Sequence, residues 1–375
     1  MPNMKIAIHC SDLDHSRIDG TRVYILNLLR QFGKLDTESK FELLHRNEFN
    51  PELEPPKFAN YLVKKIAAPL MWTQTGFAWG IFTAKPDVVW MPIANVPLLK
   101  RKNTKVVVTI HDLAFKHFPQ YFTKKDLGKL NFFSKLAINK SDHIIAISNA
   151  TKRDILNFFP HIKPEKISVV YHGFTSELFE KEITEKQNEV VLSKFNLKKN
   201  EYLLYVGAIQ PRKDLVTLVL AFEQLAKTHL TLKLVIGGDK AWQWEETFKR
   251  IEESPVKERI IVTGKLPFED VSVLYRNAAV FVFPELYAGF GIPLLEAMAS
   301  GVPVVSANNS ALIEAGGEAA VYFESGNAYE LTAKIESILA NEILRSQMVE
   351  KGKAHVKQFS WEKCAADTLD IFEKR

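Results

Sequence analysis

Cysteine is nearly missing from this chain. Cys10 and Cys364 are the two present among 375 residues, too few for a disulfide framework or a four-thiolate zinc site. That usage fits a reducing compartment, and the cytoplasm is the expected one. Glycine and proline are sparse, 17 each, against 46% hydrophobic and 25% charged residues, which excludes collagen-like, low-complexity and disordered chains. Long apolar runs are missing too. The first apolar run stops at Ser11-Asp12, too short for the core of a signal peptide. The longest uncharged stretch, Ile66 to Ala84, has 19 residues but includes Pro69, Thr73, Gln74, Thr75 and Gly76, so a membrane-spanning helix is not expected.

What is present is enough chain for two cores, since domains run to roughly 100-200 residues. Charge is uneven along it. Residues 1-180 hold 25 Lys+Arg and 17 Asp+Glu, a net +8, whereas residues 181-375 hold 24 and 27, a net -3. A basic front half can attract anionic lipid, nucleic acid or a phosphorylated substrate, or it can be a set of scattered solvated lysines. Nucleic acid is not expected, because no recognition motif or concentrated basic helix accompanies the charge.

Short apolar runs alternate with amphipathic stretches. Lys5-Cys10, Phe41-His45, Asp87-Met91, Val106-His111, His143-Ser148 and Ile167-Tyr171 are strand candidates in the first half. Tyr202-Val206, Leu232-Ile236, Arg259-Thr263, Val280-Phe283, Pro303-Ser306 and Ala320-Phe323 are those of the second. Runs such as Val106 to Ile110 are apolar on both faces, as parallel strands covered by helices must be. The expected fold class is α/β: two Rossmann-like, doubly wound parallel-sheet domains facing across a cleft. The polar stretch between Glu180 and Asn200 places the boundary, giving domains at 1-185 and 186-375. Ser360 to Arg375 reads as an amphipathic helix with no strand after it, free to return to the first domain.

The most specific segment runs from Phe283 to Val305, FPELYAGFGIPLLEAMASGVPVV. A strand ends, a glycine loop turns and a helix starts. Gly289 and Gly291 permit close backbone approach, and the helix N-terminus offers free N-H groups and a positive dipole end suited to phosphate. A dinucleotide fingerprint is excluded, because Leu294 stands where its third glycine would be. Earlier, Arg212 and Lys213 follow a strand and Gly207, where a guanidinium fork and an ammonium can meet a diphosphate, although an exposed basic turn has the same composition.

This segment resembles the signature of family 4 (group 1) retaining glycosyltransferases of the GT-B fold. Val206 to Leu215 is similar to that family's phosphate loop, Ile110 to Phe115 to its histidine segment, and Ala146 to Ile155 also matches. The resemblance implies a nucleotide-sugar donor, UDP- or GDP-linked, held mainly by the second domain, and a glycan or lipid-linked acceptor held by the first. It implies donor binding by Gly20, Gly207, Arg212, Lys213, Gly289, Phe290, Gly291 and Glu296, with Glu296 on the nucleotide ribose. His111 would touch the transferred sugar, and Arg212 and Lys213 would take the leaving diphosphate. For Glu296 the plain alternative is a helix-start acid, and for Gly20 a helix-start glycine. Asp12-Leu13-Asp14 has the look of a metal-binding pair but follows the first strand and reads as loop. No other cluster has metal-ligand spacing, so no metal and no cofactor are expected.

One departure stands out. The family's pattern has a glutamate eight positions before Glu296, and here that position is Ala288. Glu285, three residues earlier, could turn its carboxylate toward the vacancy or serve the strand end. Lys64-Lys65 with Met71, Trp72, Phe77 and Trp79 forms an aromatic stretch with a basic start that could pack in the core, line an acceptor cleft or graze a bilayer. With the basic runs at Lys100-Arg101-Lys102, Lys105 and Lys124-Lys125, it leaves open a phosphate-bearing lipid acceptor and peripheral contact at the inner membrane face. The competing functional reading is a noncatalytic sugar-nucleotide or glycan-binding protein that keeps the fold.

Overall fold

The computed structural model describes residues 3–68 and 70–374; Met1, Pro2, Pro69 and Arg375, all named or spanned above, lie outside the described residues. The chain forms two compact units. Residues 1–173 and 359–375 make the first, and residues 174–358 the second.

The first unit carries seven strands: β1 (Lys5–His9), β2 (Lys40–His45), β3 (Tyr61–Lys65), β4 (Val88–Met91), β5 (Lys105–Ile110), β6 (His143–Ala146) and β7 (Ile167–Val169). They lie in the order β3-β2-β1-β4-β5-β6-β7 and every pairing is parallel. β1 sits mid-sheet, with Ile8 registered between Leu43 and Trp90. It reads as an unbroken buried run because helices cover both faces. β3 is the strand the sequence pattern missed. It pairs with β2 alone, leaves Leu62 and Val63 half exposed and turns Lys64 onto the buried Glu42, so it shows neither alternation nor an apolar run. Lys64 and Lys65 are therefore an edge strand rather than the start of the aromatic stretch.

The second unit has β8 (Tyr202–Val206), β9 (Lys233–Gly237), β10 (Ile260–Gly264), β11 (Val280–Phe283), β12 (Val304–Ala307) and β13 (Ala320–Phe323), ordered β10-β9-β8-β11-β12-β13 and again parallel. In both sheets the order reverses beside the unit's first strand, between β1 and β4 and between β8 and β11. Such switch points open a crevice at the carboxyl ends of the strands.

The division falls at Gly173, not at residue 185, and the second unit stops at Gln358, not at 375. Two features account for this. The polar stretch after Glu180 is not a linker but a surface helix, Glu185–Lys194, opened by a capping box between Thr184 and Gln187. The last helix, Trp361–Glu373, turns its apolar face to the helix Gly20–Leu35, with the Phe372 ring 5.9 Å from Phe32 and 6.1 Å from Trp90. Gly173 lets it in: a Cβ there would stand 2.1 Å from the backbone nitrogen of Trp361.

Candidate active site

At the switch point of the second sheet, the loop after β8 and the loop after β11 are tied together. β8 runs into Gly207, whose φ of +155° lets the chain turn away beside Gly238 at φ +152°. A Cβ on Gly238, just after β9, would lie 2.0 Å from the Gly207 carbonyl oxygen, so the chain can pass Gly207 there only as glycine. Pro211–Lys213 then forms one 3-10 turn, and Asp214, in the left-handed region, starts the helix Leu215–Leu225. The Leu286 N-H donates to the Arg212 carbonyl at 2.9 Å, and the Arg212 guanidinium donates to the Tyr287 carbonyl at 3.0 Å.

Between the loops lies a buried ion cluster. Glu285, 2% exposed, sets Oε1 3.3 Å from Arg212 and Oε2 2.6 Å from Lys213 Nζ. The Lys213 ammonium also stands 5.3 Å from the centre of the Phe283 ring. Asn309 fixes the other end of the residue by donating to the Glu285 carbonyl at 2.8 Å. Two cations share one carboxylate, which leaves a net positive, water-poor corner suited to a diphosphate. The sequence offered Glu285 for the Ala288 vacancy or for the strand end; its carboxylate lies on Arg212 and Lys213, a pairing that neither reading named.

Gly291, at φ +119°, turns the chain into the helix Ile292–Ala299, with Pro293 in its first turn. Gly289 lies in this loop, while Ala288 and Phe290 are buried beside it. Glu296 accepts a hydrogen bond from the buried Tyr275 hydroxyl at 3.1 Å. Burial pushes its carboxyl up to about 7, against the opposing pull of that hydrogen bond. It is thus held by a different partner from the Glu285 cluster, and Tyr275, in the helix Phe268–Asn277, carried no sequence signal for that duty.

In the first unit His111 follows β5 and is half-buried. Its Nε2 stands 2.9 Å from the Pro92 carbonyl, which can only accept, so Nε2 carries the proton and Nδ1 is the acceptor nitrogen of the neutral ring. Burial lowers its pKa, opposed in part by that bond and by Asp112. Tyr24 meets His111 edge-on at 5.0 Å and stacks on His172 at 4.6 Å, so an aromatic wall fixes the imidazole plane. Neither Tyr24 nor His172 was among the candidates; both look like core residues in sequence. Gly20 begins the helix Gly20–Leu35 behind the capping side chain of Asp19, and a Cβ on it would meet nothing within 4 Å. Asp12 and Asp14 fall in a short 3-10 turn, Ser11–Asp14, where Asp14 accepts from the Asn47 N-H and Asp12 lies beside Arg22.

The aromatic stretch divides. Trp72 and Phe77 are buried around His9, at ring distances of 5.0 and 4.9 Å, whereas Met71 and Trp79 face outward. Lys105 is spent on the fold, its ammonium donating to the Ile371 carbonyl at 2.5 Å.

The two doubly wound parallel sheets are those of the GT-B fold, which the solved structure below shares. The profile of glycosyl transferases group 1 matches residues 188–355, and that of glycosyltransferase family 4 matches residues 18–178. The chain belongs to the group 1, family 4 glycosyltransferases. It is 28% identical over 297 residues to O-antigen chain mannosyltransferase B of Escherichia coli, covering 79% of this chain and 76% of that protein. It is 26% identical over 294 residues to the serotype-specific mannosyltransferase WbdA of Escherichia coli, of which the match spans 35%. Among solved structures, Anabaena Alr3699/HepE in complex with UDP and glucose superposes with a TM-score of 0.76 at 16% identity, over 100% of both chains.

Proposed function

We propose that this glycosyltransferase moves a hexosyl group, with retention of anomeric configuration, from a UDP- or GDP-linked sugar to a glycan or lipid-linked acceptor. The names of its mannosyltransferase relatives make mannose the first sugar to try. The observation that carries the reading is the buried Arg212–Lys213–Glu285 cluster between the loops after β8 and β11.

In this reading the second unit holds the donor. Glu296 accepts the ribose hydroxyls, and the N-terminal turn behind Gly289, Phe290 and Gly291 faces the phosphates, with Gly207 giving the backbone room. Arg212 and Lys213 stabilise the negative charge that grows on the diphosphate as the sugar-phosphate bond breaks, a role that asks for no metal ion. The first unit holds the acceptor. In this reading the neutral His111 ring touches the transferred sugar, and Gly20 serves the phosphate side. The acceptor oxygen attacks on the face the diphosphate leaves, one C–O bond forming as the other breaks. The acceptor's proton passes to the departing phosphate, so no enzyme carboxylate becomes glycosylated. With a lipid-linked acceptor, the basic first unit works at an anionic membrane face on the cytoplasmic side.

Incubating the protein with a panel of UDP- and GDP-hexoses and oligosaccharide or lipid-linked acceptors, and reading the product anomer by NMR, tests this. A product of inverted configuration overturns the mechanism. Nucleotide binding by calorimetry with neither transfer nor donor hydrolysis supports a noncatalytic binder instead.

A further inference from the structure

The last helix, Trp361–Glu373, is fastened at both ends of the strand that leads to His111. At the start of β5 the Lys105 ammonium donates to the Ile371 carbonyl at 2.5 Å and to that of Lys374, where the helix ends. At the other end of β5, Thr109 Oγ1 accepts from the Trp90 indole at 3.1 Å and meets the Tyr24 hydroxyl at 3.3 Å. His111 follows two residues later. Trp361, the first residue of the helix, lies in the same group of rings.

That group is built from segments far apart in sequence. Trp361 stands 5.9 Å from His172 and 6.2 Å from Tyr24, and His172 stands 5.6 Å from His111. Tyr24, His172 and Trp361 are all buried. Gly173, next to His172, is where the helix backbone presses in, so the approach that docks Trp361 also sets where the His172 ring lies. The His111 backbone is held by Thr151, whose hydroxyl donates to its carbonyl at 3.3 Å. The bond from Nε2 to the Pro92 carbonyl fixes one atom of the ring and leaves it free to tilt about that bond. Tyr24 and His172 block the tilt, and Trp361 backs them, because in a close-packed interior one ring moves only if its neighbours do. A plain core position asks only for apolar volume. The buried indole N-H of Trp361 meets no acceptor among the described residues, so an aliphatic side chain would fill the space without that unmet donor.

We propose that Trp361, on the last helix, is a positioning residue for His111, holding its imidazole plane through His172 and Tyr24. The use of the held ring rests on the reading that His111 touches the transferred sugar; the holding itself stands on the geometry above. A held ring keeps Nδ1 aimed one way and shielded from water, hence neutral. The titratable groups around it are Asp112 beside it, Asp19 ahead of the helix Gly20–Leu35, and the Tyr24 and His172 rings. Burial outweighs the two acids and lowers the His111 pKa.

The test uses the full chain with nitrogen-15 in its histidine rings, the His111 signals being assigned by their loss in His111→Gln. In the parent they should report a neutral ring protonated at Nε2. Trp361→Leu keeps apolar bulk and removes the indole. It should move the His111 titration up toward the ordinary value near 6.5 and bring its two nitrogen shifts closer together, as tilt and water reach the ring. With the nucleotide hexose that the panel above selects, kcat should fall by roughly tenfold and the donor KM change little. The acid limb of kcat should move to higher pH with that titration, since the neutral ring is the one used. His172→Leu should act in the same way, whereas His172→Phe, which restores a flat ring, should recover most of the parent's kcat and His111 signals. Thermal melts show which variants are folded at the assay temperature, and His172→Leu carries the test if Trp361→Leu is not. A His111 titration that stays put in the folded leucine variants overturns the proposal even where Tm falls, because a merely structural role lowers Tm alone. If His111→Gln transfers sugar at the parent's rate, the sugar-contact reading fails, while shifted His111 signals still uphold the positioning.

Discussion

The carboxylate of Glu285 lies 2.6 Å from the ammonium of Lys213, in a corner that also holds Arg212. Truncating either cation does two things. It takes away charge that would meet the departing diphosphate, and it leaves a buried carboxylate short of a partner. Lys213→Ala and Arg212→Ala should each lower kcat/KM by roughly 2-4 kcal/mol of transition-state stabilisation. Each should also lower stability by about 1-3 kcal/mol, seen as a drop in the denaturant midpoint. Adding Glu285→Gln to Lys213→Ala should recover part of the stability, and a cycle showing no coupling would mean that the pair is not formed in solution.

The same cluster makes a prediction about Glu285 alone. Its charge offsets one of two cations, so Glu285→Gln should tighten binding of free UDP or GDP by roughly tenfold while lowering kcat, because the cations lose the acceptor that aims them. Calorimetry and initial rates separate the two effects. Ala288→Glu, at a position 6% exposed, should not raise kcat, since a carboxylate already serves the cations from three residues away. A large gain from Ala288→Glu would show that Glu285 does not stand in for the missing acid.

The family was legible where one strand end, one glycine turn and one helix start stand together, as from Phe283 to Glu296. Both sheets were legible because central parallel strands are apolar on both faces. Three things were not. The edge strand β3 has no buried face to impose a pattern, and the helix Glu185–Lys194 is polar because it lies on the surface. The partners of the site residues, Pro92 for His111 and Tyr275 for Glu296, come from distant segments that only the fold brings near.

Four histidines whose pKa burial lowers, His9 and His172 fully buried and His111 and His143 half-buried, weaken the first unit in acid. Burial drives His9 down to about 3 and His143 to about 4, and lowers His111 and His172 as well. An unfolded chain would protonate all four near 6.5, so between that pH and their folded values the unfolded state binds more protons and stability falls as pH drops. Asp12, raised by burial, opposes this in the same unit. In the second unit, burial raises Glu296 to about 7 and Asp214 to about 6, which gives the reverse slope: stability is lost as pH rises through those values. Hydrogen exchange at pH 5 and pH 7.5 should therefore show protection falling in residues 3–173 at the lower pH and holding or rising in residues 174–358. Parallel changes in both units would contradict the assignment of these protons.

Glu296 brings the two slopes to a single residue. Its carboxyl, pushed to about 7 by burial, is protonated in the folded protein over a range where the unfolded chain has already lost the proton, so it costs stability above neutrality. In the proposed reading the charged form accepts two ribose hydroxyls, which gives the cost a use. Glu296→Gln keeps an acceptor for the Tyr275 hydroxyl and removes the charge. It should raise the Tm at pH 8 and leave it almost unchanged at pH 5, where the parent is already neutral. Nucleotide affinity should fall by about tenfold or more at pH 8, and the loss should shrink toward pH 6 as the parent itself protonates. Melts and calorimetry at the two ends of that range check both halves. An affinity loss independent of pH would mean that the proton on Glu296 plays no part in holding the nucleotide.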